Sequence, residues 1–263
     1  MRKKLILCAF ALTLLFPLLH AQGVVTTRSH RLADFTDKVT EVVLSGNALV
    51  TNALREEVVA GWTASAFEFC TLDQYQKIKD QDQYYFLVIA DAAGISYLNL
   101  HKGTFEVISL PLVAAEGGSG RELTYLGGLI KTVQEFTLEA MESEKVAYGM
   151  EAWVNKNYSK WGKSKEVLIA SDDLPEGFTA EESYNGLRIV DTAEADQAYI
   201  DAAGATLVSY TVAPFTTEKG SCCYKMLFDA ETHNLCYISK HKISAKKGEG
   251  FLPGDLKRLS KKK

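Results

Sequence analysis

Two stretches of the chain repeat one succession of hydrophobic patterns. In the first, apolar residues alternate at Phe67 and Phe69, then fall at helical spacing from Leu72 to Asp80. They form an unbroken run from Tyr84 to Ala90 and alternate again from Ile95 to Leu100 and from Phe105 to Leu110. Alternation predicts a half-buried strand, a spacing of three and four an amphipathic helix, and a short apolar run a strand covered on both faces. The second stretch reads the same way. A short strand at Leu187 and Ile189 precedes a helix from Thr192 to Ala203 and an apolar strand from Thr206 to Val212. A two-stranded meander follows, Ser221 to Phe228 and Leu235 to Ile243. An offset of about 120 residues sets Phe69 over Ile189, Cys70 over Val190 and Phe86 over Leu207. A repeat of this kind bears on architecture before any single element does.

Each copy also has an opening strand. Lys38 to Leu44 alternates with β-branched residues and ends at Gly46-Asn47. A helix then runs to Gly61, with Leu49, Ala53, Leu54 and Val58 at helical spacing and Glu56 and Glu57 outward. Lys165 to Ala170 is the counterpart, but Asp172 to Gly186 contains Pro175 and Gly177 and reads as a loop where the first copy has a helix. The halves therefore read β-α-β-α-β-β-β and β-loop-β-α-β-β-β. Between them, Pro111 and Gly117-Gly118-Ser119-Gly120 break the chain. A helix from Arg121 to Ser143 follows, with a buried stripe of Leu123, Leu126, Ile130, Val133, Phe136 and Ala140, and Gly127-Gly128 loosening its middle. An aromatic, basic segment at Trp153, Tyr158 and Trp161 gives a further helix, closed by Gly162. The expected fold is α+β: two related strand-helix-strand modules with antiparallel meanders, joined by a helix. The boundaries are a signal peptide at 1–21, a loose polar leader at 22–37, a first module at 38–116, linker helices at 117–163, a second module at 164–244 and an irregular basic tail at 245–263.

The N-terminus adds an address. Arg2, Lys3 and Lys4 precede the apolar run Leu5 to Leu19, and Ala21 offers a small residue for cleavage. That is the pattern of a secretory signal peptide, too short for a retained membrane span. The mature chain is expected to be exported, periplasmic or secreted, and soluble. Losing three positive charges with the peptide takes the formal charge from −4 to −7. From Lys240 onward nine basic residues oppose only Glu249 and Asp255, so an acidic body carries a basic end. A nucleic-acid binder needs a basic face on its folded domain, and this distribution excludes one. Lys257, Arg258, Lys261, Lys262 and Lys263 cluster closely enough for weak attachment to an anionic membrane surface.

Four cysteines follow the signal peptide: Cys70, Cys222, Cys223 and Cys236. With the meander turn centred on Glu231 and Thr232, Cys236 falls opposite Leu227, roughly 13 Å along the strand from Cys223. Bridged Cα atoms must lie within about 7 Å. Cys222 and Cys223 point to opposite faces, and Cys70 stands where the other copy has a valine. The reading is therefore four free, mostly buried thiols, no disulfide and no metal site.

Chemistry has few places to reside. Gly117, Gly118, Ser119, Gly120 and Arg121 sit between a strand and a helix, the outline of an anion site at a helix N-terminus. No G-K-[ST] follows, and Arg121 stands where the second outer glycine of a nucleophile elbow belongs. His30, His101, His233 and His241 lie far apart in sequence, and the pairs Asp172-Asp173, Glu181-Glu182 and Glu56-Glu57 read as solvated faces. A Cys-His dyad from His241 to Cys223 or Cys236 rests on same-face proximity alone.

From Val39 to Phe69 the order strand, Asn-capped helix with Ala53-Leu54-Arg55, strand resembles periplasmic α/β modules, those of the curli-secretion lipoprotein and of the N-terminal domain of the Tol-system propeller protein. Cys223-Tyr224-Lys225-Met226, Phe228 to Thr232, Lys240 to Ile243 and Gly250-Phe251 are similar to a hairpin and tail of uncharacterised secreted proteins. The resemblance implies an envelope location and carries no activity. Two functions follow as expectations. One is an exported non-catalytic module that binds or scaffolds an envelope partner, without cofactor. The other is a hydrolase with its site in the cleft between modules, around Ser119, Asp172, Asp173 and His241.

Overall fold

A computed structural model describes residues 27–179 and 184–260. The signal-peptide segment 1–21, the start of the leader, Glu181, Glu182, Lys261, Lys262 and Lys263 lie outside the described residues.

The chain before the first strand is structured, a correction to the loose leader. Thr27 accepts from the His30 amide to cap helix α1 (Arg28–Leu32), and a 3-10 turn follows at Phe35–Asp37. Leu32 and Phe35, three residues apart, are both buried, and Phe35 meets Tyr85 and Trp62 edge-on. These two apolar side chains help to dock the short segment.

The first module then runs β1 (Val39–Val43), α2 (Ala48–Gly61), β2 (Ala66–Cys70), α3 (Leu72–Ile78), β3 (Tyr84–Ala92), β4 (Ile95–Lys102) and β5 (Phe105–Ala114). Asn47 caps α2 through the Leu49 and Val50 amides, and Thr71 with Gln74 closes a capping box on α3. Ala93 and Gly94, both at positive φ, turn the β3–β4 hairpin. Three helices follow, α4 (Arg121–Glu142), α5 (Glu144–Ala147) and α6 (Met150–Lys160), and then a 3-10 turn at Gly162–Ser164. The second module runs β6 (Glu166–Ala170), a 3-10 turn (Ser171–Asp173), β7 (Leu187–Val190), α7 (Thr192–Ile200), β8 (Thr206–Val212), β9 (Cys222–Asp229), β10 (Leu235–Lys242) and α8 (Pro253–Leu259).

The fold is α+β, with two separate five-stranded mixed sheets in the orders β2-β1-β3-β4-β5 and β7-β6-β8-β9-β10. The first three strands of each are parallel and the last two run antiparallel. Strand order and sense therefore correspond throughout. Cys70 pairs with Val43 and Val190 with Ala170, so Cys70 and Val190 correspond as expected. Phe86 does not match Leu207. It lies beside Glu41, and its counterpart beside Leu168 is Val208. The slip is one residue, and in a strand one residue exchanges the two faces.

With the register right, the faces reveal how the modules stack. In the first sheet, α2 covers the side of Val42 and Tyr85, and α3 the side of Val43, Cys70 and Phe86. In the second, α7 covers Ala170, Val190 and Val208, the counterparts of the α3 side. The α2 counterpart is missing there, as expected from Pro175 and Gly177. Its place over Val167, Ile169 and Leu207 is taken by α8, through Leu256 and Leu259, with Phe251 beside them. The irregular tail is therefore corrected: residues 251–259 are part of the second core. Pro253 at the helix start and Leu256 and Leu259 three apart form the local signal.

Helix α4 lies between the sheets. Leu126, Ile130, Val133, Phe136 and Ala140 are buried as expected, but so are Tyr125, Leu129, Thr132 and Thr137. The buried arc covers somewhat more than half of the helix, wider than the stripe a single packed face needs. The threonines fit because their hydroxyls donate back to the Gly128 and Val133 carbonyls at 2.7 Å each. Leu123, expected in the stripe, is only half-buried. The open edge of β10 is closed by Asn155 of α6, whose side chain both accepts from the Ile238 amide and donates to its carbonyl at 2.9 Å.

Candidate functional site

A cleft of about 1410 Å³ opens where the two modules meet, at the carboxyl ends of β6 and β8. Parallel strands that diverge at a change of direction leave such a crevice. Here the β6–β8 ladder runs to Leu168 and Val208, and beyond it the Ser209 hydroxyl takes the Ala170 amide at 2.9 Å in place of a backbone bond. The walls are the glycine turn 117–120, the segment 171–178, Tyr210 to Phe215 and residues 243–250.

Asp173 lies at the base of this crevice and is 1% exposed. One carboxylate oxygen accepts from Arg121 Nη1 at 3.0 Å, the Thr211 amide at 3.0 Å and the Thr211 hydroxyl at 2.8 Å. The other accepts from the Ser209 hydroxyl at 2.5 Å. Arg121 is equally committed. Its Nε and Nη2 hold Asp196, and Nη2 also reaches the Ser209 carbonyl. Burial opposes the guanidinium charge, but Asp173 and then Asp196 outweigh it and raise Arg121 above its ordinary value. A buried ion pair persists only when its remaining lone pairs and protons are satisfied in this way. The pair ties α4 to β8, and neither charge is free for a ligand.

The glycine turn is arranged accordingly. Gly120 precedes α4 at φ 94°, where a side chain would be strained, and its amide donates to Glu122 Oε2 at 3.0 Å. An anion at Gly117, Gly118, Ser119 and Gly120 would compete with Glu122 and find Arg121 turned to Asp173 and Asp196. The structure brings Ser119, Asp172 and Asp173 to one cleft. His241 stays behind its wall, bonded through Nε2 to the Gly248 carbonyl at 2.8 Å.

Sequence reasoning missed the rest of the lining. Phe178, Ile189 and Phe215 give it apolar surface, with Phe215 69% exposed. Glu122, Asp172, Glu176 and Glu249 oppose Lys246, so the rim is acidic. Burial pushes Glu249 above its usual range. These residues come from five separate segments, and no local spacing signals them. Gly250 alone carries a hint: it sits at φ 82°, and a Cβ there would collide with the Asp173 carbonyl.

The four cysteines among the described residues are unpaired. Cys223 faces His241 across the β9–β10 ladder, but its sulfur accepts from the Gly250 amide, and burial pushes the thiol up to about 11. Burial with nearby Glu41 pushes Cys70 to about 12. Thiols in this range hold little of the reactive thiolate. Cys236 is not opposite Leu227: Tyr237 is, and Cys236 occupies a bulge after Leu235. At the basic end, Arg258 donates to Asp255 and to the Tyr237 hydroxyl, both at 2.7 Å, while Lys225 pairs with Asp255 beneath it. Lys257 lies beside Arg258 on α8 and is exposed. Among the described residues no helix is long and apolar enough to cross a membrane, and no group of three His, Cys, Asp or Glu is placed to hold a metal ion. No protein-family model matches the chain, and neither a curated protein nor a solved structure matches it.

Proposed function

We propose that the protein is an exported, non-catalytic binding module whose envelope partner occupies the cleft between the two modules. One observation carries the reading. The strongest charges in the cleft, Arg121 and Asp173, are spent on each other and on Ser209, Thr211 and Asp196, while Phe215 and Glu249 are left facing solvent or a partner. A catalytic site needs a nucleophile and a base within reach of each other. Here Asp173 is already saturated by donors, and His241 is engaged at Gly248. The basic run before Leu5 to Leu19, and the resemblance of Val39 to Phe69 to periplasmic modules, support export.

The hydrolase reading keeps one support, the meeting of Ser119 and Asp172 in the same cleft. Immobilised protein, wild type and Phe215→Glu, separates the two. Phe215 is exposed, so the variant should fold. Capture of one envelope component by the wild type and its loss with Phe215→Glu is the expected result. Equal capture by both would place the partner elsewhere. Ester or peptide turnover abolished by Ser119→Ala would replace binding with hydrolysis.

A further inference from the structure

A second, smaller cavity of about 260 Å³ lies away from the cleft, where α2, α4, α7 and the β9–β10 turn meet. Its floor is Gly127-Gly128 in the middle of α4. Adjacent glycines weaken a helix interior relative to alanine, and the geometry gives the reason. A Cβ on Gly127 would collide with the Glu57 carboxylate, and one on Gly128 would lie 2.6 Å from the Tyr199 hydroxyl and 2.7 Å from the His233 carbonyl. The glycines let three polar side chains from three elements close over the helix.

Two of the three, Glu57 and Tyr199, present an unused acceptor. Glu57, expected to point outward, is half-buried and makes no hydrogen bond or ion pair with a described residue. Burial raises its carboxyl above the usual range, with His233 opposing and Glu56 adding to the rise. Tyr199 is 3% exposed, yet its hydroxyl completes no full hydrogen bond and has only the Gly128 backbone close by. A buried hydroxyl without a partner is costly and marks a place where a ligand or water belongs. His233, held at φ 58° in the turn, stacks on Tyr199 with ring centroids 4.3 Å apart. Its Nε2 lies 3.1 Å from the Tyr199 carbonyl, which can only accept, so Nε2 carries a proton and donates there.

We propose that this pocket binds a small organic ammonium ion. A carboxylate and a phenol oxygen are both able to accept, and an ammonium group offers three donors and no acceptor. Leu123 and Ile200 at the cavity wall suit a short alkyl chain. The volume equals that of roughly eight or nine waters, enough for a few carbon atoms beyond the nitrogen. The site is separate from the cleft, so its failure leaves the proposed function untouched.

The test is titration of the ¹⁵N-labelled protein with n-butylammonium, using butyrate and n-butanol as controls. Saturable shifts of the Thr124, Gly127 and Gly128 amides, with Kd on the order of 1 mM, are expected for butylammonium alone. Glu57→Gln should weaken binding about tenfold or more, and Tyr199→Phe less, since the charge remains. No saturation, equal shifts from butyrate, or unchanged affinity in Glu57→Gln would overturn the assignment.

Discussion

Arg121 Nη1 lies 3.0 Å from a carboxylate oxygen of Asp173 at the point where β6 and β8 part, joining the inter-module helix to the second sheet. Their side chains are 12% and 1% exposed. Removing one partner leaves the other buried and uncompensated. Arg121→Met should therefore cost about 3–5 kcal/mol, read as a fall in the urea midpoint. A loss below about 1 kcal/mol, the scale of a surface pair, would mean that water reaches Asp173 and that the crevice is open at its base.

Helix α8 supplies the second module with the cover that α2 gives the first. Leu256 is fully buried, so Leu256→Ala should cost about 2–5 kcal/mol by denaturant unfolding. Lys257→Ala, next to it on the exposed side, should cost a few tenths at most. Equal effects would show that the tail is not packed in solution.

The basic end is tested without disturbing that packing. Lys261, Lys262 and Lys263 changed together to Gln leave Leu256 and Leu259 in place. The reading of weak, peripheral attachment predicts less cosedimentation with anionic liposomes than wild type at low salt. The difference should vanish at about 1 M salt, where the screening length falls to roughly 3 Å. Equal, salt-insensitive partitioning would leave these lysines as a solvated end.

Glu144 anchors α1 from the start of α5. Its carboxylate takes the Ser29 hydroxyl and the Arg28 and Ser29 amides, and these bonds, the Ser29 hydroxyl foremost, hold it down to about 2. The folded value lies below the unfolded one, so the stabilisation is complete above the ordinary glutamate range. It is lost as pH falls through that range towards about 2. Protection factors of the Arg28–Leu32 amides, taken against the intrinsic rate at each pH, should fall over that window, and Glu144→Gln should remove the pH dependence. Protection unchanged down to pH about 2 would assign the anchoring of α1 to Leu32 alone.

The thiols should separate by burial. Cys222 is half-buried, whereas Cys70, Cys223 and Cys236 are buried and the first two are pushed up to about 12 and about 11. Iodoacetamide should modify Cys222 first in the native protein, and all four residues after unfolding without reductant. Two cysteines protected after unfolding would establish a disulfide.

Element order was legible because each strand and helix announces itself within about ten residues: β-branched alternation in β1, the capping residues Asn47 and Thr71, the breakers Pro175 and Gly177 where the second module lacks a helix. What escaped was set by distant neighbours. The Phe86 register needed Glu41 beside it. The burial of Leu256 needed a sheet face left bare some 90 residues earlier. Arg121 was visible as a cation beside a glycine turn, but its partners Asp173 and Asp196 lie on other elements and convert a candidate ligand-binding group into a structural one. Only Gly127-Gly128 marked the second cavity, and a glycine pair says that something approaches without saying what.

Hydrogen exchange of the protein, alone and with any component that the immobilised wild type captures, tests the proposed cleft binding most directly. The account predicts slowed exchange in residues 117–122, 172–178, 211–217 and 245–250, with β4 and the α2 surface unchanged. Protection confined to the first module, or to α8 and the residues after it, would contradict it.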